Sequence, residues 1–442
     1  SVTGSDENVY PPMSDMLREW NIDVFTPYSA DNLDRAKPDL VIIGNVIRRV
    51  NAEATAVRDR GIPQMSFPAA FGALITKDKH PVVIVGTHGK TTTSALMAHV
   101  LVEAGLDPSF LVGGVTVNYD GNFRLGGGKH VVIEGDEYDT AYFDKGPKFL
   151  HYGAKTALLT SIEFDHADIY RDLAQYESAF MRFCETVPRG GWLGVSTSYG
   201  RAEQIAHTHS IATVAAYGAA PHADYRTEDL VFSAGGAQFS VVNPIGQSTN
   251  VLLPMSGRHN VENATGVFAA ARSLGIDAKD IAKAFASFRG VKRRQELRGE
   301  PGGVLVIDDF AHHPTAVRET VAGIRERYAG RRIWAIFEPR SNTSRRNIHQ
   351  AEYAGAFDGA DVVTLRVPEP HDKVPANEQL DVQQVVAELK KRGKDASAVQ
   401  APDDIARAVV DGAQRGDVVL VMSNGAFGGV IPRILEGLAT RR

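Results

Sequence analysis

The chain carries a single cysteine, Cys184, in 442 residues. An intrachain disulfide is therefore excluded, and with it a secreted scaffold stapled by cystines. Cys184 follows Phe183 in a helical stretch, which predicts a buried small apolar residue rather than a nucleophile. A reducing cytoplasm is the expected compartment. No apolar run approaches the ~20 residues of a membrane-spanning helix, and no charged-then-apolar leader opens the sequence. Membrane insertion is not expected. Neither sign of charge dominates: 48 Lys and Arg stand against 53 Asp and Glu. There is thus no bulk attraction to nucleic acid or to an anionic bilayer. Repeats and low-complexity tracts are also missing, and Lys390–Lys394 is short enough to be a solvated helix end. What remains is an ordinary globular composition, 43% hydrophobic and 23% charged. Its length exceeds one core, so two or three domains are expected.

The most informative stretch is Val82-Val-Ile-Val-Gly-Thr-His-Gly-Lys-Thr-Thr-Thr93. Val82–Val85 predicts a strand buried on both faces. Gly86 and Gly89 allow a tight turn and close approach of a ligand to the backbone. Thr92 onward has helical spacing, with Leu96, Met97, Val100, Leu101 and Ala104 on one face and Gly105 as the stop. A helix N-terminus binds phosphate through its free N–H groups and dipole. Lys90 adds a positive charge and Thr91 a hydroxyl suited to Mg²⁺. The usual G-x-x-x-x-G-K-[ST] pattern would need glycine where Ile84 stands, so the match is incomplete. The plainer alternative is a glycine turn in an ordinary βα unit.

Before this stretch, residues 1–77 read as a first α/β segment. Ser1–Asp6 looks like the tail of a strand ending in an acid. Pro11-Pro12 is expected to open a helix carrying Met13, Met16, Leu17 and Trp20. Asp39–Gly44 reads as a buried strand, and Glu53–Arg60 as a helix stopped by Gly61-Ile-Pro63. In dinucleotide-binding folds a glycine turn precedes such an acid by about twenty residues. The expectation is therefore a chain that starts inside a domain, without its first strand and glycine turn.

Residues 78–294 are expected to form a second domain. His130–Glu134 and Thr156–Thr160 are its further strands, the latter leading into Ser161-Ile-Glu-Phe-Asp-His-Ala-Asp168. Ligands of open parallel sheets lie beyond the carboxyl ends of the strands. Lys90 with Thr91, Glu134 and His166 are thus expected at one crevice. Mg²⁺ prefers oxygen ligands, so Thr91 and Glu134 suit it and His166 needs further support. Tyr176–Thr186 reads as a helix, residues 211–256 as a small antiparallel insertion, and Val261–Leu274 as a helix after Gly257-Arg-His-Asn260. His207 and His209 read as a polar loop. Residues 295–442 form a third α/β unit with strands Gly303–Ile307, Arg332–Phe337, Asp361–Leu365 and Asp417–Val421.

Taken together, these motifs resemble the Mur ligases. The residues that carry the resemblance are Gly86-Thr-His-Gly-Lys-Thr-Thr92, Glu134, Asp165-His166, His259-Asn260 with Asn263, Gly290–Arg294 and Asp308-Asp-Phe-Ala-His-His-Pro-Thr315. The resemblance implies a three-domain α/β architecture: a Rossmann-like UDP-sugar domain, a central phosphate-loop ATPase domain and a Rossmann-like domain for the amine substrate. It implies ATP and Mg²⁺ as cofactors and UDP-N-acetylmuramate as a substrate. By the resemblance, ATP would be held by Gly86, Thr87, His88, Gly89, Lys90, Thr91 and Thr92, with Asn263 near adenine, and Arg294 and Asp309 on the nucleotide side. Thr91, Glu134 and His166 would hold Mg²⁺, and Lys90, Glu134 and His166 would carry catalysis. Asp6 and Asn45 fall where the family holds the uridine diphosphate.

One branch of the family joins a murein tripeptide instead of L-alanine. Ser5–Met13, Glu137–Lys145, Glu338–Thr343 and Ser423–Gly429 resemble that branch. On that basis His313, Arg340, Ser341 and Asn342 are candidate substrate contacts, and a monomer or weak homo-oligomer is expected. L-alanine is the alternative substrate. Several Mur ligases place a metal-binding carbamylated lysine after the Asp-His motif; here that neighbourhood is Ala179-Phe-Met-Arg182. A folylpolyglutamate synthase-like ligase would share the ATP core but not residues 1–77. A degenerate regulator would not be expected to keep Lys90, Thr91, Glu134 and His166 together.

Overall fold

The computed structural model describes residues 1–10, 13–167, 169–369 and 374–441. Two compact units emerge: Ser1–Lys79 with Asp136–Gly153, and His80–Gly135 with Ala154–Arg442. Asp136–Gly153 lies inside the stretch 78–294 yet belongs to the first unit. It forms the antiparallel pair Asp139–Ala141 and Asp144–Pro147. Asp144 accepts a hydrogen bond from Ser66 Oγ at 3.0 Å, and Tyr142 accepts one from Arg58 at 2.7 Å.

Beside that antiparallel pair, the first unit holds two parallel ribbons rather than one sheet. Thr3–Ser5 pairs with Asp23–Phe25, and Val41–Ile43 pairs with Gln64–Ser66. Between them lies a cavity of about 670 Å³, bordered by the consecutive residues Ser1–Asp6 and Asp39–Gly44. Consecutive residues alternate between the faces of a strand, so both ribbons present backbone edges to this space. Glu53 links the two halves by accepting from Ser5 Oγ at 2.7 Å and Asn32 Nδ2 at 3.1 Å. The expected buried strand at Asp39–Gly44 is shorter and more open than its apolar run implied. Only Val41–Ile43 is extended, and Ile42 is 48% exposed. An open edge leaves such side chains no second layer to meet. The helix Met13–Glu19 forms, without a buried residue. Pro11-Pro12, expected to open it, lies outside the described residues.

The second unit holds two sheets. The larger has ten strands. Its centre is Thr156–Leu159, His80–Val85 and His130–Glu134, adjacent and parallel. Val82–Val85 are fully buried, as a strand covered by helices on both faces requires. The following helix, Lys90–Glu103, departs from the one-faced pattern expected of it. Every residue from Thr91 to Leu101 is buried, because it packs against the helices Arg258–Ser273 and Ala278–Ser287 as well as the sheet. Residues 211–256 are not a separate insertion. Thr213–Gly218 joins the central sheet in parallel, and Tyr225–Ser233, Gly236–Val242 and Ser248–Leu253 extend it, the last two antiparallel. His207 and His209 lie on the helix Gly200–His209, not in a loop.

The smaller sheet runs Glu296–Gly299, Leu305–Asp309, Val418–Met422, Ile333–Phe337, Val362–Arg366, Asp395–Val399, all parallel except the first. Period-two alternation divides its strands between two cores. Ile333, Ala335 and Phe337 face one, and Trp334 and Ile336 the other. Cys184 is buried and unbridged, as expected. No described helix is long and apolar enough to cross a membrane.

Candidate active site

The three central strands end side by side, and the candidate site is built on those ends. Val85 is in register with Leu159, and Ile84 with Glu134. The turn after Val85 is laced to the neighbouring strand end. Thr87 N–H donates to Ser161 O at 3.0 Å, His88 N–H to Ser161 Oγ at 2.8 Å, and Thr160 Oγ1 to His88 O at 2.6 Å. This close approach needs glycine at position 86. Its φ is +133°, and a Cβ there would stand 2.2 Å from Thr160 Oγ1. Gly89, at φ +80°, leaves room for Asn263, whose amide would lie 2.7 Å from an added Cβ. Asn263 is thus brought to the loop from the helix Arg258–Ser273.

Lys90 opens the helix and turns its ammonium onto the loop, donating to Gly86 O at 2.6 Å and Thr87 O at 3.2 Å. Thr91 Oγ1 donates to Glu134 Oε1 at 2.9 Å, and Gly113 N–H donates to Glu134 Oε2 at 2.6 Å. A hydroxyl beside a carboxylate at a helix N-terminus is an oxygen donor set that fits Mg²⁺. Arg294 reaches across from the junction between the second and third domains, donating to Thr91 Oγ1 at 3.1 Å and stacking on Phe310. Burial pulls the Arg294 guanidinium below its ordinary pKa, against the opposing pull of Asp309. Burial pushes Asp309 up, offset by Arg294 and by N–H bonds from Ala311 and Gln295. The two form a mutually dependent buried pair.

His166 takes a left-handed backbone, φ +56°, held by a turn in which Tyr170 N–H donates to His166 O at 3.0 Å. A non-glycine residue pays a strain cost there. Asp165 lies 3.9 Å from both His166 and His312. Burial would raise the Asp165 carboxyl, but His166, His312 and His313 hold it well below the usual carboxylate range. Asp168, read in the same motif, lies outside the described residues.

A group that the sequence did not single out stands beside the loop. Glu163 Oε2 lies 2.7 Å from His88 Nε2 and 4.0 Å from His313 Nδ1. Burial favours a protonated Glu163, but the His88 hydrogen bond and the charges of His88 and His313 outweigh it and lower its pKa. Burial and the neighbouring His88 lower His313. A lone acid three residues before His166 gives no sequence signal of its own. Only the fold brings the third domain's His313 to it.

The expected substrate contacts divide between the units. Asp6 borders the cavity of the first unit; Asn45 does not, although Gly44 and Val46 do. In the second unit Arg340 lies on Gly425, where an added Cβ would be 2.3 Å from its side chain. Ser341 Oγ bonds Ser344 Oγ at 2.8 Å. Arg345 is pulled below its ordinary pKa by burial and then by Arg340, and its Nε has no hydrogen-bond partner. Arg346 pairs with Glu378, and Arg366 with the buried Glu338.

Such a site, with a glycine turn opening a helix, paired oxygen donors and an arginine from the domain junction, suits a nucleoside triphosphate with a divalent ion. The comparisons agree. Residues 1–79 match the Mur ligase family catalytic domain, residues 84–271 the Mur ligase middle domain and residues 293–425 the Mur ligase glutamate ligase domain. The chain is 38% identical to UDP-N-acetylmuramate–L-alanyl-gamma-D-glutamyl-meso-2,6-diaminoheptandioate ligase of Escherichia coli, covering 100% of this chain and 93% of the relative. It is 33% identical to UDP-N-acetylmuramate–L-alanine ligase of Rhizobium etli, covering 99% and 92%. Among solved structures, murein peptide ligase of Psychrobacter arcticus is 32% identical with a TM-score of 0.71, covering 100% of this chain and 94% of that one. UDP-N-acetylmuramate–alanine ligase of Thermotoga maritima gives 25% and 0.77, covering 98% and 92%. The chain belongs to the Mur ligase family. It is an ATP-dependent, ADP-forming acid–amine ligase of peptidoglycan metabolism with the three-domain α/β architecture of that family.

Proposed function

We propose that this chain joins the lactyl carboxylate of UDP-N-acetylmuramate to the amine of L-alanyl-γ-D-glutamyl-meso-diaminopimelate, in peptidoglycan recycling. The carboxylate attacks the γ-phosphorus of ATP and ADP leaves. The amine then attacks the acyl carbon of the acyl phosphate, loses a proton, and expels inorganic phosphate through a tetrahedral intermediate. The protein's part is positioning and charge neutralisation rather than nucleophilic catalysis. Lys90 stabilises the transferring phosphoryl group, and Asn263, Arg294 and Asp309 hold the nucleotide. Thr91 and Glu134, with His166 supporting, would hold Mg²⁺, which would supply charge neutralisation at the phosphates. Residues 1–77 serve the UDP-sugar, 78–294 ATP, and 295–442 the peptide.

The observation that carries the choice of peptide is the arginine cluster after the strand Ile333–Phe337. Burial and then the charge of Arg340 lower Arg345 there, and the Arg345 Nε–H is buried without an acceptor among the described residues. Such a place calls for carboxylates, of which the tripeptide has several and which arginine can grip bidentately. Similarity to L-alanine ligases at 33% identity supports the second reading, free L-alanine as the amine. Offering each amine with ATP and UDP-N-acetylmuramate, and identifying the product by mass, decides between them.

A further inference from the structure

His88, Glu163 and His313 offer three ligand atoms that all lie within 4.8 Å of one another. The His88 and His313 rings approach to 4.7 Å between centroids. Ligands at ~2.0–2.2 Å from one ion stand about 3–3.5 Å apart. The 2.7 Å and 4.0 Å separations from Glu163 Oε2 bracket that spacing, and no separation in the set exceeds 4.8 Å, so movements on the order of 1 Å would close it.

The surroundings hold the backbone that carries the first two of these side chains. Thr87 Oγ1 accepts from Glu163 N–H and donates to Glu163 O, both at 2.9 Å, and bonds Tyr176 OH at 3.0 Å. His88 is fixed at both backbone atoms by Ser161 and Thr160. His313 heads the helix Pro314–Arg327, and its Nδ1 accepts from Thr315 N–H at 3.3 Å. That acceptor role makes Nδ1, 4.0 Å from Glu163 Oε2, the unprotonated ring nitrogen, and taking a metal there means giving up the Thr315 bond. The bond it makes is long and is weakly competitive with a metal.

We propose that His88, Glu163 and His313 form a binding site for a divalent transition-metal ion of the Zn²⁺ class. Two imidazoles and one carboxylate suit such ions, whereas Mg²⁺ takes oxygen ligands. The site is separate from the Thr91 and Glu134 oxygens. Its ligands follow two strands of the ten-stranded sheet and one of the six-stranded sheet. A bound ion therefore ties the phosphate loop to the C-terminal sheet, whichever amine is ligated.

Cobalt(II) is the probe, added to the full untagged chain in excess Mg²⁺ and followed by its visible ligand-field bands. Wild type is expected to bind one Co²⁺ with strong bands that Zn²⁺ displaces. Glu163→Gln and His313→Asn are expected to abolish them. Asparagine keeps a helix cap at position 313, and circular dichroism checks the fold. Should His313→Asn melt early, the near-isosteric Glu163→Gln decides alone. Absence of bands in folded wild type overturns the proposal, as do bands that survive Glu163→Gln. Bands lost in His166→Ala but kept in Glu163→Gln would assign the ion to the nucleotide site and equally overturn it.

Discussion

Thr91 Oγ1 donates to Glu134 Oε1 across 2.9 Å, joining the first turn of a helix to the end of the adjacent strand. Arg294 donates to the same hydroxyl, and Gly113 N–H to the other carboxylate oxygen. The pair is pre-positioned by donors from two further segments. Glu134→Gln keeps an acceptor for Gly113 but removes the charge that an ion needs. Turnover is expected to fall and the Mg²⁺ concentration for half-maximal activity to rise, with the melting temperature little changed. His166→Ala should move the Mg²⁺ requirement in the same direction. A titration of ATP-dependent phosphate release against Mg²⁺ checks both, and an unchanged requirement in His166→Ala would leave that residue a structural role.

Lys90→Ala is expected to lower phosphoryl transfer at least 100-fold while the fold persists. The ammonium lies on Gly86 O and Thr87 O, within the loop it would leave to meet a phosphate. One lost charge contact to a developing oxyanion costs on the order of 3 kcal/mol. Single-turnover phosphate release is the measurement, and near-normal turnover would remove the phosphate-loop assignment.

Much of this site could be read from the sequence, because it is built from local signals. Val82–Val85 followed by Gly86, Gly89 and Lys90 is one continuous strand–turn–helix, and the strands around Ile307, Ala335 and Leu420 are short apolar runs. What could not be read is long-range. Thr213–Gly218 resembled part of a hairpin because its parallel neighbour, Trp192–Ser196, lies across the helix Gly200–His209. That helix in turn buries only Ala202, Ile205 and Ala206, too weak a stripe to mark it. The uniform burial of Thr91–Leu101 depends on two helices more than 150 positions away. Glu163 acquires meaning only through His88 and His313.

Acid should destabilise the second unit through its buried histidines. Burial first, then the charges of His80 and Lys129, lowers His130 from 6.5 to about 4. His130 is 2% exposed and its Nδ1 has no partner. Between those values the unfolded chain binds the proton and the folded chain does not. The stability is therefore complete above pH 6.5 and is lost as pH falls toward about 4. One such proton gives a slope of up to about 1.4 kcal/mol per pH unit. His130→Leu should flatten urea-unfolding stability in that window by up to this amount, and an unaltered slope would mean that His130 titrates normally.

The first unit should open before the second. Its ribbons have three residues per strand and border a cavity, whereas the other unit's sheets have ten and six strands. Isolated two-stranded ribbons are marginal, and local opening follows such differences. Amide hydrogen exchange is expected to be fast at Gly4 and Ile42 and slow at Val83 and Leu420. Equal protection in both units would contradict this.

The arginines after the strand Ile333–Phe337 should set which amine is ligated. Arg340 rests on Gly425, at the carboxyl end of the neighbouring strand Val418–Met422, and Arg345 is depressed by burial first and then by the Arg340 charge. Two like charges held together cost stability unless an anion joins them. Arg346 and Arg366 are already paired, with Glu378 and Glu338, and are less available to a ligand. Arg340→Met and Arg345→Met should each therefore raise KM for the tripeptide about 10–100-fold, from the ~1.5–3 kcal/mol of one charge-assisted hydrogen bond. Loss of either charge relieves the repulsion, so the melting temperature should hold or rise. KM for ATP should be unchanged, because Lys90, Asn263 and Arg294 are untouched. A combined fall in ATP and tripeptide affinity would point to a general disturbance of the domain. Efficient ligation of L-alanine by wild type, with the tripeptide inert, would instead place this chain with the alanine-adding enzymes and leave the arginines as a surface cluster.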